Sequence, residues 1–183
     1  MPYYNMKTLL IDTHLWNVTI ILYSDGQIKR KSELIGLKNN SEFIFPEIIK
    51  VLENDDIDNI IVINGPGSFT GVRLGVTIAK TLAYTLKIPI RVISSLECMA
   101  ISSNNKHVAI SDNNGYFIAK FNNDMTLQEN YKYLTNEEFK KEENIVTNII
   151  LDFNKIYNYA INKEALNPHF VNPLYIKKIG VEK

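Results

Sequence analysis

The chain has 183 residues, of which 45% are hydrophobic and 22% charged, so it can fold around a core of its own and is not a disordered, collagenous or coiled-coil protein. Its 20 basic and 20 acidic residues give a formal net charge of zero, which argues against a protein that binds nucleic acid unaided, because phosphate contacts need a concentrated basic surface. The single cysteine, Cys98, excludes an intramolecular disulfide and fits a reducing compartment.

The first elements in the chain are predicted strands. An apolar run at Thr8–Ile11 predicts a buried strand that ends at Asp12, and β-branched residues predict a second strand at Val18–Tyr23. The Asp25-Gly26 pair predicts a hairpin turn into a third strand at Gln27–Ile35. Together these strands predict an antiparallel meander at the start of a sheet.

The apolar period then changes to that of a helix. Apolar residues at i, i+3, i+4 and i+7 predict an amphipathic helix over residues 41–53, with Ser41 as its N-cap. The pattern places Phe45, Ile48 and Ile49 on the buried side, and Pro46 predicts a kink after the first turn.

The next three elements continue the alternation of strands and helices. The short apolar run at Asn59–Ile63 predicts a strand buried on both faces. A helix at Thr70–Leu86 and a strand at Ile90–Ile93 follow. The order βββαβαβ predicts an α/β lobe with a mixed central sheet.

The second half of the chain is less periodic. Its patterns predict a hairpin, a short helix opened by a capping box, a further helix and an extended tail. These elements are assigned to His107–Ser111 with Tyr116–Phe121, to Thr135–Glu138, to Lys155–Leu166 and to Val171–Ile176.

A glycine-rich segment, GPGSFTGVRLG at residues 65–75, is the strongest local signal. It follows a buried strand and opens a helix, where backbone N–H groups can bind an anion. It lacks the Lys-Ser/Thr pair of a Walker A loop and the third glycine of a dinucleotide fingerprint, where Thr70 stands. Pro66 stands where a nucleophile elbow needs glycine. The residues leave open whether the segment binds a ligand or only forms a turn and a helix cap.

The helix after this segment carries a stripe of small residues. Glycine inside a helix costs about 1 kcal/mol relative to alanine, so the stripe needs a structural reason. Either the helix packs closely on the sheet, or a partner's helix docks on it. An apolar stripe formed by Leu74, Ile78 and Leu82 could pack on the sheet and leave the small residues to a partner. The small residues stand at every fourth position: Gly71, Gly75, Ala79 and Ala83.

The residues that could carry chemistry are few. The three histidines are far apart in the sequence and form no metal-binding motif, so we predict no metal site. Asp12 could bind hydrated Mg²⁺ beside phosphates, or it could close its strand and cap a turn. No catalytic constellation is predicted. Since no stretch approaches the ~20 apolar residues of a membrane span, we expect a cytoplasmic protein.

The segment at residues 65–75 resembles that of the bacterial TsaB (YeaZ) family, which takes part in threonylcarbamoyladenosine synthesis on tRNA. Supporting matches lie at Leu10–Thr13, Ser94–Glu97, Ala109–Asp112 and Asn172–Ile176. The resemblance implies an actin-like, sugar-kinase-like fold (ASKHA, ribonuclease H-like) with two lobes. The lobes would be residues 1–96, with the glycine-rich loop and two interface helices, and a shortened second lobe, residues 97–183.

The resemblance also implies a function and partners. It implies a non-catalytic subunit that dimerises with the catalytic subunit TsaD and activates transfer of threonylcarbamoyl to the adenosine next to the anticodon. The ATPase TsaE would join the complex, tRNA would be contacted only through it, and the chain alone could form a homodimer. No cofactor is expected on the chain alone, and ATP or ADP would fit the assembled complex.

The alternative is a small ATPase or phosphotransferase of the same fold that uses Asp12 and the glycine-rich loop. Against it, His14 and Leu15 stand where the actin-like fold has a glycine in its first phosphate loop, and they would crowd a phosphate.

The resemblance gives a set of candidate residues. Asp12 and Thr13 are the candidates for a position near a nucleotide, and no catalytic or metal-binding residue is assigned. The candidate partner interface lies on the two helices and the loop of the first lobe. Its residues are Phe43, Ile44, Ile48, Gly65, Gly67, Ser68, Phe69, Thr70, Gly71, Arg73, Gly75, Ala79 and Ala83.

Overall fold

A five-stranded mixed sheet forms the centre of the molecule, in a computed structural model that describes residues 6–15, 17–36 and 42–176. The strand order is β3-β2-β1-β4-β5. β1 pairs antiparallel with β2, as β2 does with β3, whereas β1 with β4 and β4 with β5 are parallel. The strands are β1 (Lys7–Asp12), β2 (Val18–Ser24), β3 (Gln27–Leu34), β4 (Asn59–Ile63) and β5 (Ile90–Ile93).

The other elements are five helices and a second sheet. The second sheet is antiparallel, with the order β6-β7-β8. Its strands are β6 (His107–Asp112), β7 (Gly115–Lys120) and β8 (Lys132–Thr135). The helices are α1 (Ile44–Leu52), α2 (Phe69–Leu86), α3 (Ser95–Ser103), α4 (Asn136–Phe139) and α5 (Phe153–Ala160), and a 3₁₀ turn follows at Pro168–Phe170.

Helices cover both faces of the central sheet. α1 and α2 pack on one face, where Leu9 and Ile11 of β1 join the core with Val62 of β4. The alternate residues Leu10 and Ile61 face the other side, together with α3 and α5. Every residue of β4 is buried, which confirms the prediction that this strand is buried on both faces.

Helix α3, which the sequence analysis did not predict, contributes to two cores. Cys98 packs with the central sheet, whereas Leu96, Met99 and Ala100 pack against β6 and β7. Ser94 caps this helix in a capping box with Glu97. α3 thus joins the central sheet to the second sheet. The division of the chain at residue 96 stays a prediction.

The fold class and most predicted elements are confirmed. The chain has the α/β fold with the predicted βββαβαβ order, and the strands of the central sheet lie within one residue of their predicted bounds. The capping box at Thr135 and Glu138 is present and opens α4.

Two helix predictions need correction. α1 begins at Ile44, so Pro46 lies in its first turn, where a missing N–H costs no helical hydrogen bond and no kink is needed. The predicted N-cap, Ser41, lies outside the described residues. The helix expected at Lys155–Leu166 begins at Phe153 and ends at Ala160. Leu166 forms an antiparallel bridge to Ile90 of the central sheet instead.

Asp55 connects the edge strand β3 to β1 and to the end of α1. Lys7 and Lys29 lie 2.8 Å from its carboxylate oxygens, and Arg30 also pairs with it. Arg30 donates to the carbonyl of Leu52 at the C-terminus of α1. The hydrogen bonds from Lys29, Lys7 and Arg30 hold the pKa of Asp55 well below its ordinary value.

We expect Asp55→Asn to lower the melting temperature at neutral pH. A carboxyl group with a lowered folded-state pKa stabilises the fold above its unfolded pKa of about 3.9, and this stabilisation is lost as the pH falls through the folded-state value. The difference in melting temperature between wild type and variant should therefore be constant above about pH 5 and shrink below about pH 4. Thermal denaturation across this range, with the exposed Asp56→Asn as control, measures it. A difference that persists unchanged at low pH would contradict the role of the Asp55 charge.

Candidate functional site

The connection that follows β1 closes over the glycine-rich loop. The backbone N–H of Ser68 donates to the carbonyl of His14, at 2.7 Å. The hydroxyl of Thr13 donates to the carbonyl of Gly71 in the first turn of α2, also at 2.7 Å. Two adjacent residues of the β1–β2 connection, Thr13 and His14, thus bond the loop and the start of α2.

Three glycines make this close approach sterically feasible. A Cβ atom at Gly67 would lie 2.0 Å from the carbonyl oxygen of His14, and one at Gly71 would lie 2.3 Å from that of Thr13. At Gly75, a Cβ atom would lie 2.2 Å from the Thr13 hydroxyl oxygen. The backbone carbonyls leave no room for a side chain at Gly67 or Gly71, and a methyl group at Gly75 would force the Thr13 side chain to move. The glycines of the motif therefore serve an internal contact with the β1–β2 connection.

Asp12 and Thr13, the residues predicted to lie near a nucleotide, are buried in this contact. Asp12 is 5% exposed, and its Oδ1 accepts from the backbone N–H of His14 at 3.1 Å and lies 2.5 Å from His14 Nδ1. This is a turn capped by an aspartate side chain. Of the two roles considered for Asp12, the structure shows the closing of its strand and the capping of a turn. Proximity to a nucleotide stays a prediction.

Further polar groups of the loop bond to α2 and α3. Ser68 is the N-cap of α2, and its side chain accepts from the N–H of Gly71. Ser95, at the start of α3, donates its N–H to the carbonyl of Gly65 at 2.9 Å and its hydroxyl to that of Pro66. The loop thus holds α3 and the β1–β2 connection against α2.

The small-residue stripe faces the sheet, which corrects the prediction that it forms a docking surface. Ala79 and Ala83 are 0% and 1% exposed, and both pack with the central sheet, as does the buried Gly75 beside Thr13. Ile44 and Ile48, also predicted at the partner interface, are 1% and 0% exposed in the same core. Small residues in this stripe let the helix lie close to the strands, which was the other role considered.

The same two helices and the residue before α1 leave large apolar side chains exposed, and we call this set of residues the α1–α2 face. Of the predicted interface residues, Phe43 and Phe69 belong to it, and the exposed Thr70 and Arg73 lie beside Phe69 on the chain. Exposed large apolar side chains are candidates for an interaction surface. The α1–α2 face consists of Phe43, Phe45, Ile49, Phe69, Tyr84 and Leu86.

Sequence reasoning missed Phe45 and Ile49 as surface residues. It placed both on the buried side of α1, whereas the structure buries Ile44, Ile48 and Val51 and exposes about half of Phe45 and Ile49. Apolar residues stand on nearly every side of this helix, so their period does not select one face. The number of apolar residues could have indicated an exposed apolar surface, because α1 has more of them than one buried stripe can use.

Other kinds of site find no support among the described residues. In that part of the chain, no three His, Cys, Asp or Glu side chains come together as a metal-binding group. Burial raises the pKa of the Cys98 thiol, and the nearby charges of Asp12 and Glu97 raise it further, so the thiol stays protonated. No helix within the described ranges is long and apolar enough to cross a bilayer.

Comparison with known proteins finds one family in sequence. A family model described as TsaD, tRNA N6-adenosine threonylcarbamoyltransferase, matches residues 41–147. The chain is 39% identical over 107 residues to the tRNA threonylcarbamoyladenosine biosynthesis protein TsaB of Bacillus subtilis (strain 168), with 56% of this chain and 46% of that protein covered. It is 34% identical over 100 residues to TsaB of Escherichia coli (strain K12), with 52% and 43% covered. The chain spans about half the length of the curated relatives it matches.

Solved structures show the same fold. YeaZ from Pseudomonas aeruginosa superposes with a TM-score of 0.72 at 16% identity, covering 93% of this chain and 99% of the other. A Pseudomonas aeruginosa protein described as uncharacterized, with similarity to peptidase YEAZ, superposes with a TM-score of 0.75 at 16% identity, covering 94% and 100%.

We expect Gly75→Ala to destabilise the fold, because the added methyl group has no room beside the Thr13 hydroxyl. Over-packing of this kind costs about 1–3 kcal/mol. Thr13→Ala should cost about 1 kcal/mol through its lost hydrogen bond. In the Thr13→Ala background, Gly75→Ala should lower the free energy of unfolding by less than it does in the wild type, because the clashing hydroxyl is absent. Denaturant unfolding of the four proteins measures this coupling.

The matched control is Thr77→Ala, at an exposed position of the same helix, which should change the unfolding free energy by less than about 0.5 kcal/mol. Strictly additive effects of the two substitutions would show that Thr13 does not limit the space at Gly75.

Proposed function

The chain belongs to the TsaB (YeaZ) family, and on this premise we propose that it is a non-catalytic subunit in tRNA threonylcarbamoyladenosine biosynthesis. In this role it forms a heterodimer with the catalytic subunit TsaD. The heterodimer activates TsaD for transfer of threonylcarbamoyl to the adenosine next to the anticodon. The TsaB relatives and the TsaD-type family model support this assignment.

The internal bonding of the glycine-rich loop is the observation that carries the non-catalytic part of the proposal. A phosphate-binding loop needs backbone N–H groups that point at the ligand. Here the N–H of Ser68 is bonded to His14, and the carboxylate of Asp12 is bonded to the same residue. The motif therefore supports a structural role better than it supports the alternative ATPase.

We assign the partner surface to the α1–α2 face. α1 and α2 lie side by side on one face of the central sheet, and each leaves large apolar side chains exposed. Apolar and aromatic side chains are typical of the cores of protein interfaces. In the absence of TsaD, the same face could pair two copies of the chain.

The remaining components would join this heterodimer. TsaE would bind the assembled complex, and ATP or ADP would bind there rather than to the chain alone. The zero net charge of the chain supports tRNA contacts that are made through the complex.

We expect Ile49→Glu to weaken binding to TsaD of the same organism by more than tenfold. Ile49 is 52% exposed on the α1–α2 face, so a carboxylate there disrupts an apolar contact without entering the core. The matched control is Lys50→Glu, at the next position of the same helix, which should bind normally. Isothermal titration calorimetry gives both affinities, and thermal denaturation should show folded variants. A wild-type chain that forms no complex at micromolar concentrations would contradict the heterodimer, and a normal affinity of Ile49→Glu would contradict the assigned face.

The isolated chain should show no saturable ATP turnover, because the loop and Asp12 are engaged internally. A coupled ATPase assay of wild type and Asp12→Asn tests this expectation. Saturable turnover that Asp12→Asn abolishes would replace the subunit proposal with the small ATPase.

A further inference from the structure

The last described segment, residues 167–176, lies along α2, and we call it the C-terminal strap. Val171 is buried in the core of the central sheet, and Lys80 of α2 donates to its carbonyl at 3.0 Å. The N–H of Leu174 donates to the carbonyl of Asn64, at the start of the glycine-rich loop, at 2.8 Å. The strap is therefore fixed along α2, from Lys80 toward the glycine-rich loop.

The strap and α2 together place one arginine beside two aromatic rings, which themselves lie 6.2 Å apart between centroids. The guanidinium carbon of Arg73 lies 4.0 Å from the centroid of the Phe69 ring and 5.6 Å from that of Tyr175 on the strap. Its Nε donates to the Tyr175 hydroxyl at 2.7 Å. We call these three side chains the Arg73 cluster. All three side chains are exposed. Tyr175 lies 102 residues after Arg73 in the chain.

The charge of this arginine has no partner within the described part of the chain. Arg73 forms no ion pair with a carboxylate there, whereas the half-buried Arg30 pairs with two. Only its Nε is used, and the two terminal nitrogens of Arg73 have no described acceptor. Stacking on aromatic rings fixes the plane of a guanidinium at little cost in hydration. A fixed fork of N–H donors therefore faces solvent.

Building on the proposed function, we propose that the Arg73 cluster is the charged end of the docking surface and that it receives a carboxylate side chain of the catalytic subunit. The fork matches a carboxylate bidentately, and a pre-ordered arginine loses little entropy on binding. Phe69 belongs to both the cluster and the α1–α2 face, so the two meet at the start of α2. Arginine and aromatic residues are also the types that contribute most to protein interfaces.

A protein carboxylate fits this site better than an RNA phosphate. RNA binding needs several cations along one surface. Lys80 of α2 also lies beside the strap, but its ammonium group already donates to the strap carbonyls of His169 and Val171. The whole chain carries no net positive charge. The interface would thus extend from the two helices onto the strap, and Tyr175 would be a positioning residue for Arg73.

The test is calorimetric titration of the full chain with the catalytic subunit at several salt concentrations. We expect Arg73→Gln to weaken the affinity at least tenfold and to flatten its salt dependence. Arg73→Lys should restore little, because an ammonium group makes no bidentate pair. Tyr175→Phe keeps the ring and removes the hydrogen bond, so a smaller loss is expected from a chain that stays folded. Lys87→Gln, an exposed lysine at the other end of α2, is the control and should bind normally.

The outcomes separate this inference from the proposed function. If the wild type binds and Arg73→Gln binds equally well with the same salt dependence, the Arg73 cluster is not part of the interface, although the subunit proposal stands. If the wild type does not bind, both fail. If Arg73→Gln binds the catalytic subunit normally but its complex loses tRNA, the cluster binds phosphate and the carboxylate assignment is overturned. If Arg73→Gln does not fold, an unchanged affinity of Tyr175→Phe at every salt concentration overturns the inference.

Discussion

The contact between the β1–β2 connection and the glycine-rich loop is the constraint on which the arrangement of this molecule depends. Thr13 and His14 lie so near the loop and α2 that no side chain fits at Gly67 or Gly71, and a methyl group at Gly75 would force the Thr13 side chain to move. Two hydrogen bonds of 2.7 Å join the same elements. Because this contact sets the distance of α2 from the sheet, it also decides which side of the helix is buried. The small residues then face the strands together with Val72 and Val76, whereas Phe69, Tyr84 and Leu86 remain exposed.

The same loop connects the two halves of the chain. Its carbonyls accept from Ser95 at the start of α3, and α3 packs against both sheets. The strap returns from the end of the described chain to bond Asn64 beside the loop and Arg73 on α2. A segment that resembles a ligand-binding loop in sequence is therefore the place where β1, α2, α3 and the strap meet. Gly67, Gly71 and Gly75 are explained by the close contact with the β1–β2 connection.

Because the small-residue stripe is buried, the proposed docking surface consists of exposed side chains. A stripe of small residues would have offered a partner close helix packing. The structure offers instead exposed rings and aliphatic groups on α1 and α2, with a stacked arginine at one end. A surface of this kind combines apolar contact with one directional charge, and the charge supplies orientation. The strap adds Tyr175 to that surface, so residues from both halves of the chain contribute to it.

The sequence alone determined the order of strands and helices from β1 to β5, the position of the glycine-rich segment and the family. These depend on local signals: apolar runs, an Asp-Gly turn, and an eleven-residue motif. It did not determine α3, whose residues Ser95 to Ala100 are all buried, because a helix covered on all sides has no amphipathic period. It also left open which face of α1 and α2 is buried, and it gave no sign that Tyr175 meets Arg73. Only the tertiary structure decided these points, because burial and stacking depend on neighbours that lie far away along the chain.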